Sequence, residues 1–235
     1  ICKENNTLVL SDEIYSRLHH KNDHVSISKY YPEGTIITSG LSKWCGAGGW
    51  RLGTMIIPDE LEEIKQAIIN VSSETFSCVS SPIQYASVVA YQNKKYINDY
   101  LYHSRRILKV IGDYCYQELK NVEIKLHKQD GGFYLFPDFS NHSSNLHSKG
   151  VRTSSQLCKQ LLIDTGVALL PGSAFGRPEN ELTARLAYVN FDGARALNLS
   201  KKSTSIDFST SELAEVLKPV KKGLKFLINW LIKKN

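Results

Sequence analysis

The sequence predicts an α/β protein in which a mostly parallel sheet is followed by a smaller α+β domain. Two observations support this prediction. In the first part of the chain, short apolar and β-branched runs alternate with segments of helical periodicity, a pattern typical of parallel sheets. Farther along, alternating and aromatic runs separated by turn residues replace that pattern. We place the change between residues 104 and 105, so that the predicted domains span residues 1–104 and 105–235.

Three short strands are predicted in the first domain. Each is an apolar or β-branched run that ends at polar or turn-forming residues. In parallel sheets, ligands bind beyond the carboxyl ends of the strands. Asp12 and Tyr15 follow the first run and Lys43 follows the second, so we expect all three at the ligand-binding edge. The predicted strands are Thr7–Leu10, Thr35–Thr38 and Gly53–Ile57.

Helical periodicity predicts three helices in the same region. Asp59 is a suitable N-cap for the first, which is expected to reach Asn70. The second covers Pro82–Gln92. The third covers Ile97–Lys120, where apolar residues recur at helical spacing, and its length predicts that it joins the two domains.

The second domain is predicted to contain short strands and separate helices. The polar stretch 140–155 is predicted to be a mobile loop. Ser154 and Ser155 are candidate caps of a helix that reaches Asp164 and is ended by Gly166. A terminal helix is expected from Ser211 to about Lys234. The predicted strands are Val122–His127, Phe133–Phe136, Val167–Leu170 and Thr183–Asn190.

The composition is that of an ordinary globular protein, with 42% apolar and 22% charged residues among 235. The net charge of +6 comes from scattered basic residues, and a solvated helix face explains their densest cluster, near the C-terminal end, better than a nucleic-acid site does. The five cysteines form no CxxC pair, which favours a reduced, cytoplasmic protein without disulfides or a metal site. No apolar run is long enough to span a membrane. We therefore predict neither a nucleic-acid nor a membrane partner.

The residues around Lys43 and Arg51 offer a distinct chemistry. Lys43 lies among small residues, where a partly desolvated amine can act as nucleophile and base, although a surface lysine in a flexible loop is the commoner case. Arg51 lies between glycines that let a phosphate approach its guanidinium, although structural arginines are commoner. Asp12 could hold a protonated pyridine nitrogen or merely cap a turn. The hydroxyl of Tyr15 could point at the same pyridine ring, or Tyr15 could be an aromatic residue of the core.

Taken together, the motifs resemble those of the class I/II aminotransferases, which are fold-type-I pyridoxal phosphate enzymes of the aspartate aminotransferase superfamily. The resemblance extends over the whole chain, and five motifs follow one another in family order. It implies a three-layer α/β large domain, here partial, followed by a small α+β domain. The motifs are SDEIY, SGLSKWCGAGGWRLG, GGFYLFPDF, GVALLPGSAFG and TARLAYVNFDG.

The resemblance also implies a role for each candidate residue. Lys43 would hold pyridoxal 5'-phosphate as a Schiff base and act as the catalytic residue. Asp12 would keep the pyridine nitrogen protonated, and Tyr15 would hydrogen-bond the phenolic oxygen of the cofactor. Arg51, with Ser42, would bind the cofactor phosphate.

On the same resemblance, Arg185 would bind the α-carboxylate of the substrate in a paired fork. Its alternative is an outward-facing charge on a strand. The implied reaction moves an amino group between an amino acid and a 2-oxo acid by ping-pong kinetics. The implied assembly is a homodimer. The implied substrates are the amino acid and the 2-oxo acid.

Two departures from the family pattern bear on binding. Many members carry a serine three residues before the lysine, where this chain has Gly40, with Ser39 one residue earlier. Members of the best-known dicarboxylate-specific subgroup carry an arginine in the region corresponding to Ser72–Pro82, and this chain has none there. A distal carboxylate would therefore need another partner.

Other functions remain open on the sequence alone. The same cofactor chemistry serves β-elimination and aminocyclopropane-carboxylate synthases, and aminotransferase-like domains also act as ligand sensors in transcription regulators. Several family motifs that precede Ile1 in relatives are not found, so we expect the chain to be the C-terminal part of a longer enzyme. Such a part could also be inactive by itself, as a folding or interaction remnant.

Overall fold

The computed structural model describes residues 1–92, 94–202 and 211–233. Two compact units make up the chain, Ile1–Tyr102 and His103–Asn235, and their boundary falls within one long helix. The assignment of residues 1–104 to a cofactor-binding domain and of residues 105–235 to a small domain stays a prediction.

The first unit is built on a three-stranded sheet in the order β1-β2-β3, and all three predicted strands are found in it. The strands are β1 (Val9–Asp12), β2 (Thr35–Gly40) and β3 (Gly53–Ile56). β1 and β2 are parallel, whereas β2 and β3 are antiparallel. A loop without a crossover helix joins β2 to β3, and such a connection returns the chain antiparallel.

Three α-helices follow this sheet, near the predicted positions. They are α1 (Glu62–Thr75), α2 (Ser81–Tyr91) and α3 (Lys95–Asn121). The predicted N-cap Asp59 was wrong. It is the first residue of a 3-10 turn that precedes α1, and neither that turn nor α1 has a side-chain cap. Further 3-10 turns cover Lys3–Asn5, Ser16–Leu18, Ile27–Lys29, Pro32–Gly34 and Gly48–Trp50.

The core of the first unit is small, and much apolar surface is left open. Helices α1 and α2 contribute no buried residue. On the two outer strands, Leu10 is 68% exposed and Ile56 is 62% exposed. Apolar surface of this kind usually marks a contact with other polypeptide. The buried apolar side chains of the unit are Leu18, Ile36, Leu41, Trp44, Leu52, Ile97 and Leu101.

The second unit contains an antiparallel sheet in the order β4-β6-β5. Its strands are β4 (Tyr134–Leu135), β5 (Leu170–Pro171) and β6 (Ala184–Ala187), each shorter than predicted. The predicted strand Val122–His127 was wrong, because this stretch forms only one bridge, from Lys125 to Asp138. At Glu123 the backbone turns to a φ of +61°, which interrupts an extended chain.

The helices of this unit correct two further predictions and add one helix. The stretch 140–155 is not a loop, since it forms a 3-10 turn and α4 around the fully buried Leu146. The N-cap of α5 is Thr153, whose hydroxyl accepts from Gln156 N, while Gly166 ends the helix in the left-handed conformation as predicted. Helix α6 was not predicted. The helices are α4 (Ser143–Ser148), α5 (Ser154–Thr165), α6 (Gly193–Lys202), α7 (Ser211–Val216) and α8 (Lys218–Ile232).

The predicted terminal helix is divided into α7 and α8. Pro219 lies in the first turn of α8, where a missing N–H costs no helical hydrogen bond. In the interior of one long helix the same proline would break the ladder. The predicted end at Lys234 lies outside the described residues. Within the described ranges, no helix is long and apolar enough to cross a membrane.

Adjacent leucines on α5 test the packing of the second unit. Leu161 is 1% exposed, whereas Leu162 is 49% exposed. We expect Leu161→Ala to lower the free energy of unfolding by about 2–5 kcal/mol, because it leaves a cavity against α8. Leu162→Ala should cost less than about 1 kcal/mol. Urea denaturation followed by circular dichroism measures both, and equal losses would contradict the described face of α5.

Candidate active site

Lys43 lies in the loop that joins β2 to β3, and buried neighbours hold the loop in place. Leu41 and Trp44, on either side of it, are buried. The amide of Leu41 donates to Leu52 O at 3.3 Å, and the amide of Ala47 donates to Leu41 O at 3.1 Å. The loop is therefore anchored at its base and folded back on itself. It differs from the flexible surface loop that was the alternative interpretation of Lys43.

The side chain of Lys43 is half-buried and lies near Tyr15. Its Nζ is 5.9 Å from the centroid of the Tyr15 ring. Among the residues that the structure describes, no acidic side chain forms an ion pair with this amine. The amine and the phenol of the predicted site are thus brought together by two different loops, one after each parallel strand.

Asp12 and Tyr15 occupy the turn that follows β1. Asp12 is the last residue of the strand, and its carboxylate is exposed. One of its oxygens accepts from the amide of Ile14 at 3.2 Å, so the turn-capping role is present. The exposed remainder of the carboxylate leaves room for a ligand. Tyr15 precedes a 3-10 turn whose last residue, Leu18, is anchored in the core.

Arg51 and Ser42 both lie against Gly48, in the part of the loop that returns to the sheet. Arg51 has a left-handed backbone with φ +54°, an uncommon state for a residue with a side chain. Its guanidinium is exposed and donates to Gly48 O at 2.8 Å. The backbone of Ser42 lies against Gly48, where a Cβ would be 3.7 Å from Ser42 O. Strained backbone in a glycine-rich turn is a recurrent feature of ligand sites.

Gly40 has a structural reason to replace serine in the family pattern. It lies opposite Gly53 at the junction of β2 and β3. A Cβ at position 40 would be 2.7 Å from Leu52 O and 3.1 Å from the Cα of Gly53. A serine here would therefore push the two strands apart.

Arg185 lies on β6 in the second unit, between two aromatic rings. Its Cζ is 4.3 Å from the centroid of the Tyr134 ring and 4.7 Å from that of Phe175. The side chain is half-buried, and no described acidic residue pairs with it. A guanidinium that two rings hold in this way can still offer its N–H groups to a planar acceptor such as a carboxylate. The alternative of an outward charge on a strand does not describe this setting.

Three features of the Lys43 loop were not predicted from the sequence. The guanidinium of Arg17 lies 4.5 Å above the ring of Trp44. Burial raises the pKa of the Cys45 thiol, and the charge of Arg17 partly offsets this. A mostly apolar cavity of about 640 Å³ adjoins the same loop, but neither Lys43 nor Asp12 lines it. No local pattern around Arg17 reveals its contact with Trp44, because Trp44 is distant in sequence.

The side chains of the first unit suit pyridoxal 5'-phosphate. They comprise a half-buried amine without an acidic partner among the described residues, an exposed carboxylate, a phenol beside the amine and a guanidinium next to glycines. Each group of the cofactor, namely aldehyde, pyridine nitrogen, phenolic oxygen and phosphate, has a chemically matched residue. The residues are Lys43, Asp12, Tyr15 and Arg51, and Ser42 lies, like Arg51, against Gly48.

Comparison with known proteins assigns the family. The profile described as aminotransferase class I and II matches residues 1–189. The chain belongs to this family. It is 37% identical over 175 residues to a probable N-acetyl-LL-diaminopimelate aminotransferase of Bacillus subtilis, covering 74% of this chain and 41% of that protein. It is 33% identical over 193 residues to an aspartate aminotransferase of the same organism, covering 80% and 46%.

Solved structures agree in fold. A double mutant of Thermus thermophilus aspartate aminotransferase superposes with a TM-score of 0.74 at 23% identity, covering 97% of this chain and 50% of that one. The predicted family and the α/β aminotransferase-type fold are confirmed. The chain spans about half the length of the relatives it matches.

Two glycines of the site region form a matched test. We expect Gly40→Ala to cost about 1–3 kcal/mol of unfolding free energy, because its methyl group meets the backbone of β3. Gly49→Ala, where a Cβ meets nothing within 4 Å, should change stability by no more than about 0.5 kcal/mol. Denaturant titration of both variants decides, and a neutral Gly40→Ala would argue against the described β2–β3 junction.

Proposed function

We propose that this chain is part of a pyridoxal-phosphate-dependent aminotransferase, which moves an amino group between an amino acid and a 2-oxo acid. The observation that carries the proposal is the anchored loop that holds Lys43, half-buried and beside Tyr15, in a chain of the aminotransferase family. Because the chain spans about half of its relatives, the proposal concerns the whole protein to which such a chain contributes.

Each residue has a distinct task in this proposal. Nζ of Lys43 would hold the cofactor covalently and, as a free amine, would take the proton from the substrate α-carbon. The carboxylate of Asp12 keeps a proton on the pyridine nitrogen, and the hydroxyl of Tyr15 orients the phenolic oxygen. Arg51 and Ser42 bind the phosphate. When bound, the cofactor supplies an electron sink for the charge left on the α-carbon.

Arg185 is proposed to bind the substrate α-carboxylate, which every amino acid and 2-oxo acid shares. The support is its stacked guanidinium, which has no acidic partner among the described residues. The relatives named above act, by name, on aspartate and on N-acetyl-LL-diaminopimelate. We propose that the substrate is an amino acid with a second polar group. The stretch Ser72–Pro82 offers no arginine to bind that second group.

We further propose that the whole protein is a cytoplasmic homodimer. The open apolar surface of α1 and α2 supports a large contact with other polypeptide. The free state of all five cysteines supports a reducing compartment.

The attachment of the cofactor is tested at Lys43. We expect the purified chain, mixed with pyridoxal 5'-phosphate, to develop a visible absorbance band that Lys43→Ala abolishes, because the anchored β2–β3 loop holds the Lys43 amine beside the Tyr15 ring. Lys29→Ala, a change at an exposed lysine of the same unit, serves as the control and should retain the band. A band that survives Lys43→Ala would refute the assignment.

The substrate role of Arg185 is tested by Arg185→Lys in a form of the protein that turns over amino acids. Loss of the bidentate fork should lower kcat/KM by about ten- to hundredfold, because lysine keeps the charge but not the paired geometry. Cofactor binding should be unchanged. Product analysis completes the test: ammonia release without a 2-oxo acid acceptor would indicate elimination and contradict amino-group transfer.

A further inference from the structure

Glu13 follows Asp12 at the end of β1, and its side chain is unusually enclosed for a carboxylate. Only 11% of it is exposed. Burying a carboxylate costs free energy unless hydrogen-bond donors surround it. The donors around Glu13 therefore show which segments its side chain joins. None of the tasks proposed above for the cofactor site involves this residue.

Three donors converge on the Glu13 carboxylate. Oε1 accepts from the hydroxyl of Ser26 at 2.5 Å and from that of Ser11 at 3.2 Å. Oε2 lies 3.2 Å from Nε2 of His24. Two of these donors, His24 and Ser26, come from a segment more than ten residues farther along the chain, so the contact closes a loop. We call the contact of Glu13 with His24 and Ser26 the clamp.

The segment bound by Glu13 is itself ordered through Ser26. Its hydroxyl accepts from the amide of Ser28 at 3.2 Å and caps the 3-10 turn Ile27–Lys29. The hydroxyl of Ser28 lies 2.8 Å from that of Ser26 and is not among the hydrogen-bond partners of the Glu13 carboxylate. Ser28 therefore belongs to the same polar group without reaching the carboxylate, which makes it a matched control.

The backbone of Glu13 is fixed at the same time. Its amide donates to Thr38 O at 2.8 Å, which extends the β1–β2 ladder by one residue. Its carbonyl accepts from the amide of Ser16 at 3.0 Å, which closes the turn that contains Tyr15. Glu13 thus stands between Asp12 and Tyr15 and is tied to β2, to the turn and to the His24 segment.

Glu13 is placed to act through the backbone rather than on a ligand. Successive residues of an extended chain face opposite sides, so Ser11 and Glu13 share one side and Asp12 faces the other. The hydrogen bond between Ser11 and Glu13 agrees with this arrangement. The carboxylate is directed away from the face that carries Asp12 and is occupied by its three donors.

We propose that Glu13 is a positioning residue, which holds the Asp12–Tyr15 turn in register with the Lys43 loop by clamping it to the His24–Ser26 segment. The proposal rests on the proposed function in one respect: the turn matters because Asp12 and Tyr15 bind the cofactor. The clamp acts through geometry and not through the charge of Glu13.

Amide hydrogen exchange on the purified chain tests the clamp without any cofactor. Glu13→Ala should accelerate exchange about tenfold both in residues 14–18 and in residues 24–29, because it removes the hydrogen bonds that join the two segments. Glu13→Gln should stay near the parent rates, since its amide oxygen can accept from both serines and its NH2 can donate to the other tautomer of His24. Ser28→Ala should leave residues 14–18 unchanged.

A second measurement links the clamp to the site. The parent chain and each variant are treated with pyridoxal 5'-phosphate and borohydride, and mass spectrometry locates the modified lysines. We expect Glu13→Ala to reduce labelling of Lys43 relative to the other lysines by about tenfold and Glu13→Gln to restore it. If Glu13→Ala does not fold, Ser26→Ala removes the shortest arm of the clamp and should shift both readouts in the same direction.

The outcomes separate the two proposals. Faster exchange confined to residues 24–29 would overturn the positioning role, and so would a Glu13→Gln variant that behaves like Glu13→Ala. If Lys43 of the parent chain is labelled no more than other lysines, the cofactor assignment fails for this chain. The exchange rates of residues 14–18 then still decide whether Glu13 holds the turn.

Discussion

The parallel pairing of β1 with β2 is the constraint on which the candidate site depends. It sets Asp12 opposite Thr38 and leaves both strands ending at one edge of the sheet. The turn with Tyr15 and the loop with Lys43 both start from that edge, which is why a phenol and an amine 28 positions apart come within 5.9 Å. A shift of one residue in the register of β1 against β2 would turn the side chain of Asp12 to the opposite face of the sheet.

The β2–β3 loop turns that constraint into a defined position for Lys43. Its base is closed between Leu41 and Leu52, and Trp44 is buried immediately after the lysine. The close approach at Gly40 lets β2 and β3 meet, and the left-handed turn at Arg51 directs its side chain back toward the glycines. Packing therefore specifies the backbone of the loop, while the amine and the guanidinium stay available for a ligand. Rigidity of this kind is what a covalently held cofactor requires.

The sequence predicted those parts of the molecule whose signals are local. Strands β1, β2 and β3 were found because their runs are apolar and bounded by polar residues, and Lys43 stood out because small residues surround it. Prediction failed where distant residues decide. Leu146 makes α4 a helix by fitting the core, although its neighbours are polar, and the positive φ of Glu123 breaks an alternating pattern. Likewise, no local pattern connects Glu13 with Ser26 or Arg185 with Phe175, because those contacts arise from tertiary folding.

The open apolar surface of the first unit and its candidate site share the same strands. Leu10 precedes Asp12 on β1 by two residues, and Ile56 lies on the strand that closes the Lys43 loop. Burial of apolar area stabilises by roughly 25 cal/mol per Å². Polypeptide that covers Leu10 and Ile56 would thus stabilise the strands that carry Asp12 and flank Lys43. Since α1 and α2 contain no buried residue, such coverage would add order to this unit. Assembly and cofactor binding are then expected to be coupled, because each favours the same arrangement of β1, β2 and β3.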